Sequence, residues 1–129
     1  MTRTPSSIEE GMVPLTPAVF HILLALADSE RHGYGIVQEI TQRTEGAVRM
    51  GPGTLYGTIK RLLADGLIVE TDERPDPRVD DERRRYYRLT TRGQRLAAAE
   101  ARRLDQLVRV ARTKRLLPEG QAMTARGGA

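Results

Sequence analysis

Apolar positions recur at helical spacing in four stretches of the 129-residue chain and at strand spacing in two. From Pro17 to Asp28 nearly every side is apolar, with Val19, Ile22, Leu23 and Leu26 as the main stripe and Phe20 and Leu24 outside it. A helix that apolar needs covering by two neighbours, and a second subunit can be one of them. Thr16 is placed to cap it, and Pro17 suits its first turn. A second helix is expected after His32, running through Ile36, Val37 and Ile40 to an end near Gly46. Ala47 to Met50 then reads as extended, and Gly51-Pro52-Gly53 as a turn. Next comes GTLYGTIKRLLADG, in which Leu55, Ile59, Leu62 and Leu63 fall at i, i+4, i+7 and i+8 and Gly66 closes the helix. Residues 67 to 72 (LIVETD) and 83 to 89 (RRRYYRL) have strand character, and residues 73 to 82 between them are polar and interrupted by Pro75 and Pro77.

The third helix has two unlike faces. Opposite its apolar stripe lie Thr54, Gly57, Lys60, Arg61 and Ala64, flanked by Tyr56 and Thr58. Donors, cations and a residue without a side chain suit the major groove of DNA, where Thr, Lys and Arg reach base edges and phosphates and Gly57 allows close backbone approach. An ordinary amphipathic surface helix would show the same stripe. The hairpin that follows favours the groove-reading alternative. Three helices and then a two-stranded hairpin is the order of a winged helix-turn-helix, with residues 73 to 82 as the wing. The expected fold class is thus mainly α (α+β). Its parts are a disordered tail at 1–13, a DNA-binding domain at 14–89, a C-terminal dimerisation helix at 90–117 and a second disordered tail at 118–129.

Charge sharpens this picture. The net charge is only +4, but residues 67 to 82 hold two arginines and seven acids, whereas residues 83 to 115 hold twelve basic residues against Glu100 and Asp105. The strand end bearing Arg83, Arg84 and Arg85 can reach phosphate, and much of the acidic loop should be repelled by it. Arg102, Arg103, Arg109 and Arg112 are expected to keep the outer face of the last helix wet. The excess of arginine over lysine, nineteen to two, fits genomic base composition as well as it fits phosphate binding.

Composition excludes other classes. Cysteine is absent, so disulfides and thiolate metal sites are ruled out. His21 and His32 lack a third ligand at suitable spacing and are expected to be structural, with no metal and no cofactor. The one acidic cluster, Asp80-Asp81-Glu82, lies in the loop between arginines and does not suit an enzyme. No apolar run is long enough for a membrane span and the N-terminal residues lack a signal peptide's core, which points to the cytoplasm. Tyr34 has two uses open to it, packing on the core or offering its hydroxyl to a phosphate; packing is the expected one.

HGYGI, GPGTLYGTIKRLLADGLI and RRYYRLTTRGQRL together resemble the PadR family of bacterial transcriptional regulators, over about Leu15 to Leu116. The ADGLI ending alone is shared with MarR-like and other winged helices; HGY before it and YYRLT-x-x-G after it are more specific. The resemblance implies a homodimer that binds a near-palindromic operator in double-stranded DNA, usually as a repressor, with its C-terminal helix making the dimer. In some relatives it further implies a small hydrophobic effector bound near that interface.

The seam of the last helix agrees with this. Ala97, Ala101, Leu104, Val108 and Ala111 step by 4, 3, 4 and 3, a short alanine-rich heptad pattern expected to pack also on Phe20 and Leu23 of the partner. The DNA contacts are expected at Thr54, Tyr56, Gly57, Lys60 and Arg61 of the helix and at Arg84 and Arg85 of the wing. With no Trp and 4% aromatic residues, an effector pocket would have to use Phe20, Leu104 and Val108. The competing reading is a winged-helix protein-interaction module without operator specificity.

Overall fold

The computed structural model of the chain describes residues 9–71 and 85–118. A short 3-10 helix (Glu9–Met12) leads into α1 (Pro17–Leu26), β1 (Arg31–His32), α2 (Gly33–Arg43), α3 (Pro52–Ala64), β2 (Ile68–Thr71), β3 (Tyr86–Leu89) and α4 (Thr91–Thr113). The strands form one antiparallel sheet in the order β1-β3-β2, with Thr71 and His32 both opposite Tyr86. The sheet therefore has three strands where the pattern predicted a two-stranded hairpin. β1 is only two residues long, and a period of two cannot show itself in two residues.

Local chemistry sets the helix limits. Thr16, His32 and Thr90 are N-caps whose side chains accept hydrogen bonds from the amides of Val19 (3.3 Å), Gly35 (2.8 Å) and Gly93 (3.0 Å). His32, expected to be structural, is thus a helix cap. α3 begins without a side-chain cap, on Gly51 with Pro52 at its first position. At its far end Gly66 has φ +74°, and the amides of Gly66 and Leu67 donate to Leu63 O and Leu62 O. This double bond pattern returns the chain sharply and needs a left-handed residue, which glycine supplies without strain. α2 and α4 end in the same way, but with Glu45 (φ 53°) and Arg115 (φ 63°) in the left-handed position.

The core lies among α1, α2, α3, the sheet and the first half of α4. Ile22, Leu23 and Leu26 meet Ile36 and Ile40, Leu55, Ile59 and Leu62, and then Leu67, Ile68, Tyr87, Leu96 and Ala97. Gly93 lets α4 cross closely over the chain entering β2, because a Cβ there would fall well inside contact distance of Leu67 O. The start of α4 also secures the end of α3: Thr90 Oγ1 donates to Gly66 O at 2.8 Å, and Arg92 Nη1 donates to Asp65 O at 2.7 Å. Cations at a helix C-terminus complement its exposed carbonyls.

The N-terminal segment differs from the disordered tail expected up to residue 13. From Glu9 it is structured and lies along α4, with Met12, Val13 and Leu15 packed on the core. Glu100, nearly fully buried, holds it there: its carboxylate accepts from Leu15 N at 3.3 Å and from Arg103 Nε and Nη2 at 2.8 and 2.9 Å. Arg103, expected only to keep the outer face wet, is partly exposed and paired with this carboxylate. The paired guanidinium holds the Glu100 carboxyl below its usual range, outweighing the opposing effect of burial. Residues 1–8, the wing loop at 73–82, Arg83, Arg84 and residues 119–129 lie outside the described residues.

Candidate nucleic-acid interface

α3 keeps the two faces its sequence calls for. Leu55, Ile59 and Leu62 are buried, and Thr54, Gly57, Lys60, Arg61 and Ala64 are exposed. No atom lies within 4 Å of the point a Cβ on Gly57 would occupy, so the outer wall of the helix is open at its middle. Two cations, a hydroxyl and bare backbone thus stand on one surface, supported by a rigid apolar stripe beneath.

Tyr56, expected on the flank of this face, is partly buried. It packs against the core, and its ring passes under the first turn of α2, where a Cβ on Gly33 would lie 2.5 Å from the tyrosine hydroxyl. At 100° per residue Tyr56 stands on the flank of α3 between the apolar stripe and Lys60. It is a joint between α2 and α3, and sequence spacing alone left it on the boundary of the two faces. Tyr34 departs in the other direction. Expected to pack, it is 60% exposed, and its ring stacks on His32 with 6.4 Å between centroids.

At the wing root, Arg85 is half exposed and pairs with Glu70 across the strands at 3.2 Å. An exposed pair of this kind is weak and can be exchanged for another anion at little cost. Arg84 lies outside the described residues.

The seam of α4 is divided by the packing of its own subunit. Ala97 is 8% exposed and Leu23 fully buried, both enclosed by the core of their own chain, so neither has surface to give to a partner. Phe20, Leu104, Val108 and Ala111 remain partly exposed and Ala101 is exposed. The apolar surface extends beyond the heptad positions to Leu107, Val110, Leu116 and Leu117. Leu107 flanks the seam, as the pattern of the last helix also has it, whereas Val110 stands on another side of α4 and Leu116 and Leu117 lie beyond its end at Thr113.

Arg43 joins α2 to α1, contacting His21 Nδ1 at 3.2 Å and His21 O at 3.3 Å while forming a bidentate pair with Glu39. Burial, reinforced by the Arg43 charge, lowers the His21 pKa. Both histidines are thus engaged in structural contacts. Among the described residues no group of three or more His, Cys, Asp or Glu is placed to hold a metal, and no helix is long and apolar enough to cross a membrane.

A helix pair joined by residues 44–51, an outward polar face on the second helix of that pair, and a small antiparallel sheet rooted beside it define a winged helix-turn-helix protein. The transcriptional regulator PadR-like family matches residues 22–99. The chain belongs to this family and is a transcriptional regulator, not an enzyme. It is similar to the transcriptional regulator Rv3488 of Mycobacterium tuberculosis, 42% identical over 89 residues that make up 69% of this chain and 77% of that protein. Its fold is similar to a PadR-like transcription factor from Bacteroides fragilis (TM-score 0.63, 21% identity, 82% of this chain and 92% of that one). The fold also matches Bacillus subtilis PadR, solved in complex with operator DNA (TM-score 0.53, 23% identity, 64% of this chain and 46% of that one).

Proposed function

We propose that this regulator binds a near-palindromic operator in double-stranded DNA as a homodimer and represses transcription from it. The observation that carries this reading is the exposed Thr54, Gly57, Lys60 and Arg61 surface of α3, presented beside the root of the wing. The solved complex of Bacillus subtilis PadR with operator DNA supports the same use of this fold. Thr54 stands in the first turn of α3, where free amides and the helix dipole favour phosphate. Arg61 and Lys60 read bases or phosphates, and Arg84 and Arg85 of the wing bind phosphate. α4 makes the dimer through Ala101, Leu104, Val108 and Ala111, joined by Leu107 on their flank and by the partly exposed Phe20. Two such heads place their α3 helices in successive major grooves about 34 Å apart. A small hydrophobic effector would enter between Phe20, Leu104 and Val108 and change the spacing of the heads. The site of action is the cytoplasm.

Arg61→Ala should weaken binding to the specific duplex by about 1 to 3 kcal/mol and leave scrambled DNA nearly unaffected, while Arg84→Ala should lower affinity for both and reduce the salt slope by about one. Titrations of fluorescent duplexes at two or more salt concentrations measure both effects. Equal binding by wild type and both variants, with no preference between duplexes, would instead favour a protein-interaction module.

A further inference from the structure

We propose that Tyr34 contacts the DNA backbone, its hydroxyl donating to a phosphodiester oxygen, and that His32 is the positioning residue that holds it there. This rests on the DNA-binding reading above and extends the contact surface from α3 to the first turn of α2.

Of the four tyrosines, Tyr34 alone is exposed, at 60%. A single exposed aromatic is common on protein surfaces and means little by itself. What sets this ring apart is that it is fixed from behind. It lies nearly parallel to the His32 ring, at 16°. His32 is in turn held at two points: Nδ1 accepts from Gly35 N at 2.8 Å, and its ring meets the edge of Tyr86 at 5.2 Å. The support has thereby used its freedom, and the hydroxyl of Tyr34 is presented outward at reduced entropic cost.

The position of the ring is equally specific. Gly33, its neighbour in sequence, lies against Tyr56 on the Lys60 flank of α3. His32 and Thr71 both stand opposite Tyr86, the first residue of β3, so the stack sits at the root of the wing. Tyr34 thus follows directly on the α2–α3 joint and stacks on a residue at the wing root. A helix seated in the major groove is bordered by sugar-phosphate backbone, and a neutral donor beside it positions the protein without reading sequence. The anion would also meet the amino end of α2, an 11-residue helix whose dipole adds attraction.

Three variants test this in full-length protein. Tyr34→Phe keeps the stack and removes only the hydroxyl; it should lower affinity about three- to tenfold for specific and scrambled duplexes alike, at unchanged thermal stability. The salt slope should stay at the wild-type value, because a neutral hydroxyl displaces no counterion, unlike an arginine. His32→Asn retains a good N-cap but removes the ring, and should lower affinity similarly. Combined with Tyr34→Phe it should add little further loss, since both act through one contact. Wild-type affinity in Tyr34→Phe, or a loss confined to one duplex, would overturn the backbone contact while leaving DNA binding intact. Full additivity in the double variant would overturn the positioning role of His32. Failure of the wild-type protein to bind either duplex would overturn the DNA-binding reading itself, and this contact with it.

Discussion

Replacing Gly93 by alanine would drive a methyl group into Leu67 O at the crossing of α4 over the sheet. The backbone there cannot yield without moving α4, so Gly93→Ala should cost about 1 to 3 kcal/mol, read as a lower urea midpoint at unchanged slope. The Glu100 cluster gives a second residue-scale expectation. Its carboxyl pKa is lowered in the fold, first by the Arg103 hydrogen bonds. Its contribution is therefore complete above the ordinary value of 4.5 and is lost as pH falls through the lowered one. His21, also lowered, adds a separate decline as pH falls below 6.5. Urea midpoints of Glu100→Gln should lie below wild type at neutral pH and approach it in acid; a constant gap at all pH values would show that the carboxylate charge is not the cause.

Among the elements, the third helix and the hairpin were legible because each carries a clear period and an unambiguous terminator, such as Gly66. The remaining elements carried weaker signals. Arg31–His32 is too short to have a pattern, and its pairing with β3 depends on a long-range contact. Glu45 and Arg115 end their helices in a conformation that glycine would have advertised. Met12, Val13 and Leu15 are too few to mark a packed segment, and the partner that orders them is a charge, Glu100, eighty-five residues from Leu15. For the candidate site, spacing placed Thr54, Gly57, Lys60 and Arg61 on one face with Tyr56 on its flank, but it turned Tyr34 inward. The packing of Tyr56 under Gly33 and the stacking of Tyr34 on His32 are contacts between elements or at their ends, which no single-helix period describes.

At the same scale, the proposed dimer assigns its interface to α4. Leu107 is 54% exposed and supports nothing in its own subunit's core. Leu107→Glu should leave the helical circular dichroism and unfolding cooperativity of the head intact while shifting sedimentation from dimer to monomer at micromolar concentration. An unchanged dimer would place the interface elsewhere on the molecule.

For the molecule as a whole, the arrangement divides labour between a rigid head and a projecting helix. The first half of α4 is built into the head through Leu96, Ala97 and Glu100, and the second half has Leu107 and Val110 exposed. In the proposed dimer, a change in how two such helices pack is expected to reach the heads through a continuous helix. The acidic wing loop and basic helices carry opposite charge along the chain, so weak attraction to any duplex is expected from the surface alone. Specificity must be measured against that background. The most direct measurement is footprinting of the purified protein on the DNA immediately upstream of its own gene, with scrambled duplex as competitor at two salt concentrations. A dimeric operator-binding regulator gives two symmetric protected half-sites about one helical turn apart, retained against the competitor and at the higher salt. Protection that has no symmetry and disappears equally from both duplexes as salt rises would contradict it.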